Sequence, residues 1–352
     1  MSHYRATVDL DAAAELLRAA PGPVAVLTHA KPDGDAFGAV VALSAALRSL
    51  GRGVVACFVP PVPANLKEMP GSELVSVYRN GETERSMPDA SLYVVLDTGA
   101  WAQLGPMATL LEGHLERTLI IDHHLSGNIA AGHRLIDGDA SATCEILAQV
   151  IERLLGDGLD AGDPQLTRSI CEGLFLGIAS DTGWFRFSNT RPQTHELAAK
   201  LLRRGVDHAA IYSLTEQSER PQKLALLIRA LNSLKLVAGG RAAVMSLDLS
   251  DFAETGALEE ETERLVDLPQ QVGTIRVIVL ASESRGEPAN GIMPMTRLSF
   301  RSKPGPGSVN VAALAERFGG GGHARAAGAK LPTPLAEVLS EVEDVLEQVL
   351  GK

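Results

Sequence analysis

Aromatic side chains are scarce in this sequence. Phe, Trp and Tyr make up 4% of its 352 residues, so its cores must rest on Ala, Val, Leu and Ile. Cysteine is nearly absent. Cys57, Cys144 and Cys171 are an odd number without close spacing, which argues against a disulfide framework or a thiolate zinc site and fits a reducing compartment. Long apolar runs are missing too: the longest strongly apolar stretch, Ala36 to Leu47, is too short to span a bilayer. The N-terminal residues include acidic side chains and no apolar h-region, so no signal peptide is expected and a cytoplasmic location is the default. Positive charge is in deficit. A net charge of −11 argues against a long non-specific footprint on duplex nucleic acid, which needs many Lys and Arg on phosphates. It does not argue against a small anion held in a pocket.

What is present is the pattern of an α/β chain long enough for two domains. Short apolar runs alternate with helical patterns through the first half, as in a largely parallel sheet with flanking helices. Strands are expected at Pro23 to Thr28, Val54 to Val59, Leu92 to Leu96 and Thr118 to Ile121. Helices are expected at Ala36 to Leu50, from a Ser141 cap to Leu155, and at Leu166 to Ser180. Residues 1–195 read as one domain, 196–236 as a helical linker and 237–352 as a smaller α/β domain. In the latter, strands fall at Ala242 to Leu247, Arg276 to Leu280 and Thr296 to Arg301. Helices fall near Glu259 to Leu265, at Val309 to Phe318 and after Pro334.

The chemistry concentrates where strands end. Thr28 is followed by His29, Asp33 and Asp35, with Gly34 between the carboxylates expected to let the loop turn tightly. Asp97 ends one strand, and Asp122, His123 and His124 end another. Asp181 ends an apolar helix. The carboxyl edge of an open α/β sheet is where ligands bind. So many carboxylates would repel one another and raise their own pKa values, and divalent cations remove that penalty. A set of His and Asp without thiolate suits manganese, with magnesium second. By contrast His3, His114, His133, His195 and His208 have no carboxylate company and read as surface or packing residues.

These motifs resemble the DHH phosphoesterase superfamily, named for the triplet seen here as Asp122-His123-His124. His29-Ala-Lys-Pro-Asp33-Gly-Asp35-Ala-Phe-Gly38 is similar to its first motif and Leu96-Asp97-Thr98-Gly99 to its second. Gly177-Ile-Ala-Ser-Asp181-Thr-Gly183 is similar to its fourth. Phe318-Gly-Gly-Gly-Gly-His323-Ala-Arg325-Ala-Ala-Gly328 resembles the signature of the DHH-associated substrate domain. Within the superfamily the two-domain form, with Asp181-Thr-Gly-Trp-Phe185-Arg-Phe-Ser-Asn-Thr190, resembles the bacterial nanoRNase/pAp phosphatase group. The resemblance implies two metals, with His29 and Asp33 on one, Asp35, His123 and Asp181 on the other, and Asp97 bridging both. It implies His124 at the scissile phosphate and Asp122 orienting an imidazole.

Between Arg297 and Lys330 the chain carries six basic residues and one acidic, a net +5 against the global sign. Gly320, Gly321 and Gly322, with His323 and Arg325 beside them, read as a cradle for a terminal phosphate, and Arg301 as a further anion contact. Phe300 and Phe318 are weighed as base-stacking residues and read as core. The expected reaction is two-metal hydrolysis of short oligonucleotides, of pAp, or of both. The alternatives are a cyclic or linear dinucleotide phosphodiesterase, a RecJ-like single-strand exonuclease, and an inactive nucleotide-binding regulator. No membrane partner is expected, and a homodimer is left open.

Overall fold

The computed structural model describes residues 4–79, 89–285 and 294–351. The chain divides into two compact units, Met1–Ser218 and Glu219–Lys352. His3 lies outside the described residues.

The first unit is a six-stranded, all-parallel sheet of β1 (Val24–Thr28), β2 (Val54–Phe58), β3 (Ser76–Val77), β4 (Leu92–Leu96), β5 (Thr118–Asp122) and β6 (His133–Ile136). The spatial order is β3-β2-β1-β4-β5-β6. Its helices are α1 (Leu10–Ala19), α2 (Gly34–Ser49), the one-turn α3 (Met107–Leu111), α4 (Thr143–Leu155), α5 (Pro164–Asp181), α6 (Pro192–Arg203) and α7 (His208–Glu216). The central strands are buried on both faces, as parallel strands must be. Along β4, Leu92, Val94 and Leu96 face the layer of α1, α2, α4 and α5, while Tyr93 and Val95 face the layer of α3.

Few aromatics means small side chains and closely packed helices. Helix α2 is buried nearly all round, and it meets α5 along a seam of glycines. A Cβ on Gly38 would overlap the Gly173 carbonyl oxygen, and one on Gly34 would sit 2.5 Å from Ser180 Oγ. Gly34 is therefore needed for helix approach and not for a tight loop. The left-handed turn there falls on Lys31, at φ 59°.

The second unit carries α8 (Pro221–Asn232) and a sheet of β7 (Lys235–Val237), β8 (Ala242–Leu247), β9 (Val277–Arg285), β10 (Pro294–Ser302), β11 (Gly321–Gly322) and β12 (Ala326–Leu331). The order is β11-β12-β10-β9-β8-β7, antiparallel except between β8 and β9. Helix α9 (Leu249–Thr255) follows β8, α10 (Val311–Arg317) precedes β11, and α11 (Leu335–Leu350) closes the chain. Phe300 and Phe318 are buried in this core with ring centroids 6.0 Å apart.

Two further local expectations need correction. The charged helix expected around Glu259 to Leu265 is two 3-10 turns, Glu259–Thr262 and Leu265–Gln271, separated by Arg264 at φ 68°. The true helix of that stretch is α9, whose Asp248 cap accepts from Asp251 N. Ser141 does not cap α4. The N-cap is Ala142, and the Ser141 hydroxyl donates to the buried Glu145 carboxylate instead. Among the described residues no helix is long and apolar enough to cross a membrane.

Inserting one methyl group into the glycine seam tests its closeness. Gly38→Ala should destabilise the protein by about 1–3 kcal/mol through overpacking, read as a lower Tm in thermal unfolding. An unchanged Tm would mean that α2 and α5 have room to spare.

Candidate metal centre

The order β3-β2-β1-β4-β5-β6 reverses direction between β1 and β4. Loops leaving the two strands there diverge and open a crevice at their carboxyl ends. His29 follows β1, Asp97 follows β4, and β5 runs into Asp122, His123 and His124. Asp33 caps α2, accepting from Asp35 N at 3.1 Å and Ala36 N at 3.0 Å, and Asp35 lies in that helix's first turn. Asp181 is the last residue of α5.

These side chains converge. His29, Asp33 and Asp97 form one group with ligand atoms all within 4.8 Å, and Asp35, His123 and Asp181 form a second. Asp97 adjoins both: its Oδ2 lies 3.6 Å from His29 Nε2 and its Oδ1 lies 3.6 Å from His123 Nε2. His123 Nε2 is also 3.3 Å from Asp181 Oδ2. Asp97 holds its place in the left-handed region, at φ 62°, which is uncommon for a residue with a Cβ and concentrates at functional sites.

The imidazoles are oriented by their far nitrogens. His29 Nδ1 lies 3.0 Å from the Ala30 carbonyl oxygen and His123 Nδ1 lies 3.3 Å from that of Ala140. A carbonyl oxygen only accepts, so Nδ1 donates in both rings and Nε2 is the nitrogen turned toward the carboxylates. Imidazole nitrogens and carboxylate oxygens gathered within 4.8 Å are a donor set that fits divalent metal.

His124 is arranged otherwise. Its Nδ1 is 2.7 Å from Asp122 Oδ1, which also accepts the His124 backbone N–H at 3.1 Å. Asp122 Oδ2 accepts a 2.6 Å hydrogen bond from the Tyr4 hydroxyl. Burial raises the Asp122 pKa, but the bonds from His124 and Tyr4 outweigh it and the net shift is downward. The same Asp122 bond raises the His124 pKa.

The carboxylates of the centre shift the other way. Burial, with Asp33 beside it, pushes Asp35 up to about 6. Burial and the charge of Asp35 push Asp181 up to about 7. Asp97, buried and facing Asp35, Asp33 and Asp181, is held well above the usual carboxylate range. The relief available inside the protein is the start of α4: Thr143 N donates to Asp35 Oδ2 at 2.6 Å and Cys144 N to Asp35 Oδ1 at 3.0 Å. A helix N-terminus favours such an anion. Thr143 Oγ1 adds a 2.9 Å bond to Asp97 Oδ1.

Tyr4 and Thr143 carry no signal in the sequence that would have singled them out. Their partners lie over a hundred residues away and nearly fifty away respectively. The bystander histidines His114 and His195 stack on Tyr93 and Phe185 at 4.7 and 5.2 Å, and His208 is 6.3 Å from Phe175.

The expected anion contacts all lie in the second unit. Gly321 and Gly322 pair with Gly328 and Ala327 in a tight hairpin, and Gly320 N donates to Ala315 O at 2.9 Å. A Cβ on Gly322, at φ 143°, would fall 2.6 Å from Ala327 Cα, so close strand approach already demands glycine. The hairpin presents His323 and Arg325 to solvent. Ser302 N donates to the Arg325 carbonyl oxygen at 3.0 Å, and Arg301 pairs with Ala326 across the same two strands. Arg301 is half-buried, with Nε 3.4 Å from Asp267 Oδ1.

Comparison with known proteins follows this division. Residues 23–178 match the DHH family, N-terminal domain, and residues 239–352 match the DHHA1 domain. The chain is 31% identical over 320 residues to the bifunctional oligoribonuclease and PAP phosphatase NrnA of Thermus thermophilus, covering 90% of this chain and 87% of that one. The Bacillus subtilis protein of the same description is 26% identical over 304 residues, covering 86% and 87%. An exopolyphosphatase-related protein from Bacteroides fragilis shares the fold at a TM-score of 0.82 and 22% identity, covering 97% of each chain.

Carboxyls that hold protons more tightly folded than unfolded weaken the fold as pH climbs from the unfolded value near about 4 to the folded one. His124, raised in the same sense, acts in the same direction. With metal chelated, Tm should therefore fall between about pH 5 and pH 8, and manganese should raise it most at the alkaline end. A chelated protein whose Tm is flat or rising over that range would contradict the carboxylate crowding. Tyr4→Phe should lower turnover about tenfold while leaving manganese affinity, measured by calorimetry, near the wild-type value. Equal loss of both would place Tyr4 in general folding instead.

Proposed function

From the premise that this chain belongs to the DHH family and is a phosphoester hydrolase with a DHHA1 domain, we propose that it hydrolyses short oligoribonucleotides to nucleoside monophosphates and pAp to AMP and phosphate. The observation that carries the chemistry is the pair of imidazoles, His29 and His123, anchored through Nδ1 on backbone carbonyls with Nε2 facing Asp97 and Asp181. The substrate follows from the likeness to the Thermus and Bacillus proteins named for those two activities.

In this reading His29 and Asp33 would hold one divalent cation, Asp35, His123 and Asp181 would hold the other, and Asp97 would serve both. Manganese is favoured over magnesium because imidazole contributes to each set. Two such cations would supply Lewis acidity at the phosphoryl oxygens and lower the pKa of an attacking water. His124, its proton retained through Asp122, faces the scissile phosphate and protonates the leaving oxygen. Asp122 and Tyr4 fix the imidazole for that transfer.

The second unit supplies the remaining specificity. His323 and Arg325 on the β11–β12 hairpin contact a further phosphate, Arg301 on β10 adds a positive charge for it, and Gly320, Gly321 and Gly322 let the backbone come close to it.

With manganese present, purified protein should release mononucleotides from di- to pentanucleotides and phosphate from pAp. Asp97→Ala should abolish both, with its circular dichroism unchanged. No release from any of these substrates by the wild type would sink the reading, and digestion of long single strands as fast as dimers would move it to an exonuclease.

A further inference from the structure

Fourteen aromatic residues serve the whole chain, and three of them fall within four positions just after Asp181. Trp184 and Phe185 turn inward onto Phe175, with centroids 6.2 and 6.1 Å away. Phe187 does not. It is 55% exposed, the one exposed phenylalanine among the described residues.

Single exposed apolar residues are ordinary, so the significance lies in how this one is held. The Phe187 backbone N–H bonds the Thr182 carbonyl at 2.9 Å, immediately beyond the metal-centre carboxylate Asp181. The ring edge rests on Gly183, where a Cβ would fall 2.6 and 2.7 Å from Cε2 and Cε1, and Gly183 has φ 55°. Arg186 Cζ lies 5.9 Å from the ring centroid, and its Nε donates to the Gly183 carbonyl at 2.6 Å. Asn189 closes the turn, its Nδ2 donating to Asp181 O at 3.1 Å and to Ser141 O at 3.0 Å. Every bond in this turn fixes an exposed ring next to a ligand residue.

Of the other exposed large apolar side chains described in this unit, Leu50, Val77, Leu125, Leu202 and Tyr212, Leu125 alone adjoins the centre in sequence, directly after His124. An anchored ring with a guanidinium on it and a catalytic phosphate site beside it matches what a nucleobase needs: a flat apolar surface with cation–π support.

We propose that Phe187, braced by Arg186, is the platform on which a substrate base stacks while that nucleotide's phosphate lies at the metal centre. The inference rests on the oligonucleotide reading above and names the subsite that reading left without a base contact, Phe300 and Phe318 being buried. Stacking on a phenyl ring does not distinguish one base from another. A hydrolase of mixed short oligonucleotides gains affinity there without gaining sequence preference.

The test compares 5′-phosphorylated diadenylate with the same dinucleotide lacking both bases, under manganese. Wild type should show a KM lower for the intact substrate by roughly 5- to 100-fold. Phe187→Ala should bring the ratio of the two KM values near one, and Phe187→Tyr should retain it. A ratio that survives in Phe187→Ala, whatever its overall activity, overturns the platform, as does a wild type that binds both substrates equally well. A wild type that hydrolyses neither overturns the oligonucleotide reading and the platform with it.

Discussion

Carboxylates taken out of water without a cation for each are the constraint on which the first unit is built. Asp35 and Asp97 are essentially inaccessible, and Asp181 and Asp33 crowd them. An isolated buried carboxylate costs several kcal/mol at the least. The chain offsets part of that cost with fixed dipoles: the first amides of α4 on Asp35 and the Thr143 hydroxyl on Asp97. Among the described residues no Lys or Arg pairs with either. The remainder of the charge is left for divalent metal.

Placing these groups depends on the close approach of α2 and α5. Asp35 opens one helix and Asp181 ends the other, so the distance between the helices sets the distance between two ligands. Gly38, Gly173 and Gly177 remove the side chains that would hold the helices apart, and a Cβ on Gly177 would lie 2.5 Å from Asp35 Oδ1 itself. The seam thus helps to set the geometry of the centre.

Much of this was legible in the sequence because it repeats a simple geometry. A short apolar run ending in Asp or His marks a strand end, and β1, β4 and β5 each follow that rule. Apolar alternation could not reveal β3, β6 or β7, edge strands of two to four residues whose pairing is decided by neighbours. The Ser141 cap was misread because a hydroxyl before a helix can serve a buried acid as readily as the helix amides, and Glu145 takes it here. Gly34 was given a loop role since its neighbour across the seam, Ser180, is remote in sequence. Tyr4 was invisible for the same reason: a hydrogen bond to Asp122 leaves no periodicity. The glycine run before His323 was read as a cradle, and the hairpin adds a second demand for glycine that sequence cannot separate from the first.

The ligands of the centre come from four separate segments, and the last of them, Asp181, closes the longest helix of the unit. Nothing shorter than that whole stretch can assemble the site. The group Asp35, His123 and Asp181 therefore stays incomplete in a nascent chain until α5 has emerged and docked on α2, whereas His29, Asp33 and Asp97 are all present much earlier. The two halves of the centre thus become available at different lengths of chain.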